Sequence, residues 1–121
     1  FPNAEGVCSG AGFTGRARDE ESRERHASAA RDGWRVAREK LADESVGTVI
    51  LDEIFYPLNY GFISVAEVVD ALKKITPGKV VVLTGRDAPE EMIAVADTVS
   101  RIECVRHAFQ QGIKAQRNVE F

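Results

Sequence analysis

The chain has 121 residues, of which 44% are hydrophobic and 29% are charged, and its formal net charge is −3 at pH 7. This length suits a single domain over residues 1–121, and the apolar runs are too short to span a membrane. The acidic balance argues against nucleic acid as the main partner. Cys8 and Cys104 have no metal-ligand spacing, and two free thiols suit a reducing cytoplasm.

Residues 1–15 are rich in glycine and predict the end of a strand followed by a loop. A long amphipathic helix is predicted over residues 19–41. Small and apolar side chains recur there at alternating steps of three and four, at Ala27, Ala30, Trp34, Ala37 and Leu41. This stripe is expected to face the core, while charged side chains cover the other faces of the helix.

A buried strand is predicted at residues 48–51, where apolar and β-branched side chains follow one another without alternation. A continuous apolar strand favours burial on both faces and therefore a parallel sheet. Ser64 and Glu67 then form a predicted capping box, in which Ser64 accepts from an amide and Glu67 reaches back to the first residue. The helix that begins there is expected to pass through Ile75 and to stop at Pro77.

A second buried strand is predicted at residues 80–83. The helix that follows is expected to have Asp87 as its N-cap and to run to Ala96. A weaker strand is predicted over residues 99–105, with a polar tail from 107 to 121. Because alternating strands and helices form βαβ units, the sequence predicts an α/β domain with a mostly parallel sheet flanked by helices.

Two carboxylates, Asp52 and Glu53, follow the first predicted strand directly. Open α/β sheets bind ligands at the carboxyl ends of their strands, and nucleotide-binding folds use a carboxylate at this Walker B position to hold magnesium. The alternative is a pair of solvated acids that begin a loop. The sequence contains no phosphate-cradling G-x-x-x-x-G-K-[ST] loop, because Val80 follows the pair Gly78 and Lys79.

Thr84, Gly85 and Arg86 follow the second predicted strand and precede a helix. Glycine lets a ligand approach the backbone, arginine supplies a planar fork of donors, and the start of a helix favours anions. The alternative is an ordinary strand-to-helix turn with a surface Arg86. Because parallel strands end at the same edge of a sheet, this motif and the acidic pair are expected to converge on one crevice.

Two aromatic segments are further candidates for ligand contact. Phe13 lies in a glycine-rich loop at residues 10–15 and forms either a lid over a ligand or a contact with the domain itself. Four aromatic residues fall within residues 55–62, where core packing is the default and the wall of a flat, apolar ligand site is the alternative. Arg106 and His107 have no Cys or Ser partner in a spacing that indicates a nucleophile and its base.

Several short sequence segments occur in a fixed order along the chain, among them GFT, LDE, TGR and KAQ. Their combination at these separations indicates a protein family more specifically than any one segment does. The segments are Gly12-Phe13-Thr14, Trp34, residues 49–53 with Tyr56, residues 83–86, residues 96–99, residues 106–109, Gly112, residues 114–116 and residues 119–121. In this combination the chain resembles the P-loop type of cob(I)alamin adenosyltransferase, or ATP:corrinoid adenosyltransferase. The resemblance covers nearly the whole chain.

The resemblance implies a RecA-like sheet of the P-loop NTPase type and a homodimer. It implies transfer of the 5′-deoxyadenosyl group from ATP to the cobalt of a reduced corrinoid, cob(I)alamin or cobinamide, with release of triphosphate, in adenosylcobalamin synthesis or salvage. The reduced cobalt is then the nucleophile, which explains why no protein nucleophile is visible. An external flavoprotein would supply the electron.

The same resemblance implies roles for individual residues. Glu53, with Asp52 beside it, would hold magnesium, and catalysis would depend on this pair. Phe13 would belong to an aromatic loop that displaces the lower axial ligand of the corrinoid and so eases its reduction. Thr84 would lie at the nucleotide cofactor. The implied corrinoid site comprises Gly12, Phe13, Thr14, Tyr60, Gly85 and Arg86.

The chain departs from the family pattern at three places. The family's first strand and Walker A loop would precede Phe1, so we expect residues 1–121 to be the C-terminal two-thirds of the family's α/β domain. Gly15 stands where the family usually has a tryptophan, which would shift displacement of the axial ligand to another aromatic residue. Asn118 stands where a glycine usually precedes the last three residues, and asparagine tolerates a positive φ.

Two alternatives stay open at this point. One is a corrinoid-binding module without catalysis, which would bind a corrinoid but not ATP. The other is a different RecA-like ATPase. We also expect the 121 residues made alone to aggregate or to bind a partner, because a RecA-like sheet without its first strand would expose a hydrophobic edge beside the strand that precedes Asp52.

Overall fold

The structure is a computed structural model that describes residues 3–8, 20–107, 110 and 112. Four α-helices and two β-strands alternate along these residues. They are α1 (Glu20–Ala42), β1 (Thr48–Leu51), α2 (Phe55–Asn59), α3 (Val65–Leu72), β2 (Val80–Leu83) and α4 (Glu90–Val95). None of the helices in the described part of the chain combines the length and apolar character that a membrane crossing requires.

The two strands pair in parallel, with Thr48 opposite Val80 and Leu51 opposite Leu83. A parallel pair requires a crossover connection, and residues 52–79, which contain α2 and α3, supply it here. The predicted α/β arrangement, with a parallel sheet flanked by helices, is therefore confirmed.

One face of the two-stranded sheet packs against the core and the other face is exposed. The core-facing side chains are Val49, Leu51, Val81 and Leu83. The side chains that alternate with them point to solvent, and Ile50 and Val80 remain 64% and 55% exposed. The predicted burial on both faces is wrong for the described residues, because none of the described elements covers this second face.

Helix α1 follows the predicted apolar stripe. Its buried residues are Ala27, Trp34 and Leu41. Acidic residues lie in its first turn and Lys40 in its last, which suits the helix dipole. At the C-terminus, Nζ of Lys79 donates to the backbone oxygens of Lys40 at 3.0 Å and Asp43 at 2.6 Å. Carbonyls at a helix end lack intrahelical partners, so Lys79 both caps α1 and ties it to the start of β2.

Helix α3 begins at the predicted serine cap but ends early. Ser64 Oγ accepts from the backbone N–H of Glu67 at 3.5 Å, which confirms Ser64 as the N-cap. The reciprocal half of the predicted capping box is wrong, because the Glu67 carboxylate instead accepts from Trp34 Nε1 at 2.9 Å and Arg38 Nη1 at 2.8 Å. The helix ends at Leu72 and does not continue through Ile75.

The buried side chains form one cluster that joins both strands to the helices. It comprises Trp34, Leu41, Val49, Ile54, Phe55, Leu58, Ile63, Val68 and Met92. Trp34 is only 5% exposed, so its indole N–H depends on Glu67 for a partner. The Trp34–Glu67 hydrogen bond therefore fixes α1 against α3 at the edge of the core.

The aromatic segment after β1 contains a short helix, α2, which the sequence pattern did not predict. Pro57 lies in its first turn, where its missing N–H breaks no intrahelical bond. Phe55 and Leu58 are buried, so the default expectation of core packing is confirmed for these two residues. Tyr60, at the end of the helix, is instead exposed.

Helix α4 begins after Pro89, which is its N-cap. The prediction of Asp87 as N-cap is wrong, because Asp87 has a φ of 55° and belongs to the turn that precedes the helix. Met92 is 2% exposed and anchors α4 to the core.

The predicted strand over residues 99–105 is also wrong. These residues have no regular secondary structure, and their apolar side chains at Val99, Ile102 and Val105 are exposed. A strand requires a neighbour for its backbone N–H and C=O groups, and β1 and β2, the strands of the described residues, pair only with each other.

Candidate functional site

The carboxyl ends of β1 and β2 bring the two predicted polar motifs together. Because Leu51 lies opposite Leu83, the residues that follow them, Asp52 and Thr84, are neighbours. Thr84 Oγ1 donates to Asp52 Oδ1 at 2.5 Å. The backbone N–H of Glu53 donates to the same Thr84 oxygen at 3.0 Å. The acidic pair and the threonine thus form one hydrogen-bonded junction, which we call the strand-end junction.

The strand-end junction presents two exposed carboxylates, from Asp52 and Glu53. Within the described residues, no group of three or more His, Cys, Asp or Glu side chains is arranged to enclose a metal ion. Magnesium usually keeps several waters and takes one or two protein carboxylates together with substrate phosphates. This donor set therefore fits a hydrated magnesium ion shared with a phosphate ligand, and it does not fit a cation enclosed by protein alone.

Glu53 has an unusual backbone conformation, with a φ of 54°. Non-glycine residues rarely adopt this left-handed region, and such residues concentrate at functional sites. The hydrogen bond from its N–H to Thr84 holds this conformation across the two strands. The turn after β1 is therefore fixed by a side chain that follows β2.

Gly85 and Arg86 continue the loop after β2, and α2 holds this loop in place. Asn59 Nδ2 donates to the backbone oxygen of Asp87 at 3.0 Å and lies 3.4 Å from that of Arg86. Gly85 has a φ of 142°, and a Cβ atom built on it would lie 2.9 Å from Cδ2 of Phe55. The glycine therefore allows close packing on Phe55. The side chain of Arg86 is exposed.

Tyr60 belongs to a row of aromatic rings that follows the strand-end junction in the chain. Its ring centroid lies 4.4 Å from that of Tyr56 and 5.7 Å from that of Phe62. The guanidinium carbon of Arg23 lies 5.8 Å from the centroid of Phe62, at cation–π distance. Partial burial raises the pKa of the Tyr56 phenol, and a hydrogen bond with Tyr60 raises that pKa further. Tyr60 is 52% exposed, so part of its side chain is accessible from solvent.

Gly12, Phe13 and Thr14 fall outside the described residues, as do residues 114–116. Arg106 and His107 lie at the end of the long described segment and are exposed. The structure thus brings Asp52, Glu53 and Thr84 into contact, and it places Gly85 and Arg86 next to them in the chain.

Sequence reasoning missed two residues that shape the site, Phe55 and Asn59. Both lie in the aromatic segment, which drew attention only for its rings. A short helix directly after the acidic pair would have signalled that its side chains can reach the loop after β2. That helix carries no capping residue, since Ile54 occupies the N-cap without a side-chain hydrogen bond.

Comparison with known proteins gives a consistent match. A family model described as ATP:corrinoid adenosyltransferase BtuR/CobO/CobP matches residues 4–121. A corrinoid adenosyltransferase of a Sinorhizobium species is 47% identical over 113 residues, which are 93% of this chain and 51% of that protein. The Pseudomonas aeruginosa protein of the same name is 42% identical over 112 residues, covering 93% and 54%.

A third relative, the corrinoid adenosyltransferase of Escherichia coli K12, is 38% identical over 108 residues. These residues are 89% of this chain and 55% of the relative. The chain therefore spans about half the length of the curated relatives that it matches.

Proposed function

The chain belongs to the ATP:corrinoid adenosyltransferase family BtuR/CobO/CobP, and from this membership we propose that the protein transfers the 5′-deoxyadenosyl group of ATP to the cobalt of a reduced corrinoid. The observation that carries the proposal is the strand-end junction. A chain that matches the family over residues 4–121 places two exposed carboxylates and a threonine at the carboxyl ends of its parallel strands. Ligands of open α/β sheets bind at this edge.

The reaction forms a bond between cobalt and the 5′ carbon of ATP. The bond between that carbon and the oxygen of the triphosphate breaks, and its electron pair leaves with the triphosphate. The protein does not need a nucleophile of its own, because the reduced corrinoid substrate supplies the electron pair. The tasks left to the protein are positioning of the two substrates and stabilisation of the charge on the leaving group.

In this proposal Glu53 and Asp52 hold magnesium at the strand-end junction. Magnesium, when bound, supplies positive charge that offsets the charge of the triphosphate. Both carboxylates are exposed, so they are accessible to a hydrated cation and a phosphate chain. Arg86 follows in the loop after β2, where its exposed guanidinium can pair with an anionic or amide group of a substrate.

The corrinoid would lie beside Tyr60, Gly85 and Arg86. The exposed ring of Tyr60 supports this placement, because a flat, largely apolar macrocycle packs well on an aromatic face. Gly12, Phe13 and Thr14 complete the proposed corrinoid site, and the family resemblance implies a position for Thr84 near the nucleotide, beside the two carboxylates. A RecA-like P-loop sheet, a homodimer, a flavoprotein electron donor and a cytoplasmic location belong to the same proposal and derive from the family resemblance.

The test is magnesium- and ATP-dependent adenosylation of chemically reduced cobalamin by the full-length protein. Glu53→Ala is expected to lower the rate about 100-fold or more, since charge stabilisation by a metal is worth several kcal/mol and each ~1.4 kcal/mol is tenfold. Glu44→Ala is the matched control, because Glu44 is an exposed acid in the turn after α1. Its rate should equal that of the parent.

The two parts of the proposal fail separately. If the parent forms no product under strong reduction, the transferase assignment is wrong, and corrinoid binding without catalysis becomes the next property to measure. If the parent is active and Glu53→Ala matches it, the transferase assignment holds and the metal role of Glu53 is wrong.

A further inference from the structure

The hydroxyl of Thr84 connects the two carboxylate residues of the strand-end junction. It donates to Oδ1 of Asp52 at 2.5 Å and accepts from the backbone N–H of Glu53 at 3.0 Å. We propose that Thr84 is a positioning residue, which orients Asp52 and Glu53 for a divalent cation and does not itself contact the nucleotide through its hydroxyl proton. This inference rests on the metal role in the proposed function.

The hydrogen-bonding capacity of a hydroxyl supports this role. A threonine hydroxyl has one proton to donate and two lone pairs that accept. The proton is committed to Asp52, and one lone pair is committed to Glu53. A phosphate oxygen is an acceptor and needs a donor, so Thr84 has no proton left for it. The geometry thus favours a role through the neighbouring carboxylates over direct nucleotide contact.

The bond to Asp52 fixes which carboxylate oxygen faces the protein. Oδ1 accepts from Thr84, and the carboxylate is otherwise exposed. In this proposal the second oxygen, Oδ2, is the one that remains for the cation. Groups that hydrogen-bond to a metal-ligating side chain set its orientation, and their removal typically lowers metal affinity about 10–100-fold.

The bond to Glu53 fixes the backbone from which the second carboxylate projects. Glu53 has a φ of 54°, a conformation that is unfavourable for a non-glycine residue and persists only where the surroundings hold it. Its N–H would lose a partner if the Thr84 hydroxyl were removed. The residue could then relax toward negative φ, and its side chain would project in a different direction.

The loop after β2 is itself held firmly enough to serve as a reference point. The N–H of Thr84 donates to the backbone oxygen of Leu51 at 3.1 Å, which continues the ladder of the sheet. Asn59 secures the other end of the loop through the backbone oxygen of Asp87. The hydroxyl of Thr84 therefore projects from a fixed backbone and accepts from the Glu53 N–H in the turn after β1.

Two substitutions separate the hydroxyl from the shape of the side chain. Thr84→Val keeps the shape and removes the hydroxyl, while Thr84→Ser keeps the hydroxyl and removes the methyl group. Thr84→Ala supplies a second variant without the hydroxyl, in case the added methyl of valine disturbs the loop. Thr76→Val is the matched control, because Thr76 lies in the turn before Pro77, away from the junction.

The full-length protein is used for two measurements. Binding of Mn²⁺ alone is followed by the electron paramagnetic resonance signal of the free ion, without ATP or corrinoid. The Mg²⁺ concentration for half-maximal adenosylation is measured at saturating ATP. We expect Thr84→Val and Thr84→Ala to lower the affinity for Mn²⁺ and to raise the half-maximal Mg²⁺ concentration, each about 10-fold or more. The maximal rate of adenosylation should be largely recovered at high Mg²⁺. Thr84→Ser and Thr76→Val should stay within about 3-fold of the parent, a difference of about 0.65 kcal/mol.

Each outcome decides either this inference or the proposed function. Parent-like Mn²⁺ binding in Thr84→Val and Thr84→Ala overturns the inference, and so does equal weakening in Thr84→Ser or absence of Mn²⁺ binding by the parent. A parent that makes no adenosylated product, but whose Mn²⁺ binding depends on the hydroxyl, supports the positioning role while the transferase proposal fails.

Discussion

Replacement of Gly85 by alanine tests whether close packing, and not backbone conformation alone, requires glycine in the loop after β2. Gly85 has a φ of 142°, and an added Cβ would lie 2.9 Å from Cδ2, 3.1 Å from Cβ and 3.2 Å from Cγ of Phe55. Phe55 is 8% exposed and belongs to the buried cluster. Its ring cannot move away without disturbing the core.

Two separate costs contribute to the expected loss of stability. A non-glycine residue in this region of positive φ costs about 1–3 kcal/mol. Overpacking against a buried ring costs about 1–3 kcal/mol more. Gly85→Ala should therefore lower the free energy of unfolding by about 2–6 kcal/mol, a large share of the ~5–15 kcal/mol that is typical of a folded domain.

Gly78→Ala is the matched control for the backbone term. Gly78 also has a positive φ, of 88°, but a Cβ added there would meet nothing within 4 Å. Urea denaturation of the full-length protein, followed by circular dichroism, gives the free energy of unfolding of both variants. We expect Gly85→Ala to lose at least about 1 kcal/mol more than Gly78→Ala, the lower bound of the overpacking cost.

A second background tests the contact with Phe55 directly. In Phe55→Ala the ring atoms are gone, although the Cβ atom near Gly85 remains. The added cost of Gly85→Ala should then fall by about 1 kcal/mol, because directly contacting residues show coupling energies of this size. Equal losses in Gly85→Ala and Gly78→Ala, or an unchanged cost in the Phe55→Ala background, would refute the packing argument.

Two further predictions concern side-chain contacts outside the strand-end junction. Glu67→Ala should lower the free energy of unfolding by about 1–3 kcal/mol in urea denaturation, because it leaves the buried Trp34 N–H without an acceptor. Glu67→Gln keeps an oxygen for Trp34 and loses only the charge opposite the exposed Arg38, so it should cost under about 1 kcal/mol. Equal losses in the two variants would contradict this reasoning. Hydrogen bonds from the hydroxyl and the backbone N–H of Ser45 lower the pKa of Asp43, so this carboxylate stabilises the fold above its ordinary pKa and the contribution is lost as pH falls through the lowered folded-state pKa. Ser45→Ala should move the Asp43 pKa back toward its ordinary value in an NMR titration, and an unchanged pKa would show that the hydroxyl is not the main cause.

The helices and strands were predictable where local signals agree with the fold. The stripe through Trp34 predicted α1, and the capping-box spacing of Ser64 and Glu67 predicted the start of α3. Two apolar runs separated by helical sequence predicted a parallel pair, and their common orientation predicted that Asp52 and Thr84 meet. Each of these features depends on short-range patterns and on one rule of sheet geometry.

Other features were not predictable because they depend on contacts between distant residues. Glu67 was expected to bond within its own helix, but Trp34 lies 33 positions away in sequence and competes for the carboxylate. The glycine at position 85 suggested access for a ligand, yet its Cβ side is filled by Phe55, from a helix that the local pattern did not reveal. Single-sequence patterns carry no information about which distant side chain fills a given space.

The absence of a strand over residues 99–105 has a related cause. Val99, Ile102 and Val105 suit a strand by composition, but a strand exists only if a neighbour accepts its hydrogen bonds. The two strands of the described residues bond only to each other. The strand propensity of these three residues was therefore not sufficient to form a strand.

The strand-end junction can form only in the register that pairs Leu51 with Leu83. Slippage of β2 by one residue along β1 would shift Thr84 by about 3.3 Å and turn the side chains of β2 to the opposite face. Asp52 and Glu53 precede β2 in the chain, so they are synthesised before the residue that bonds to them, Thr84. The hydrogen bonds between Thr84 and this pair form only when the later strand docks in the native register, and a chain in the wrong register would lack the geometry of the proposed magnesium site.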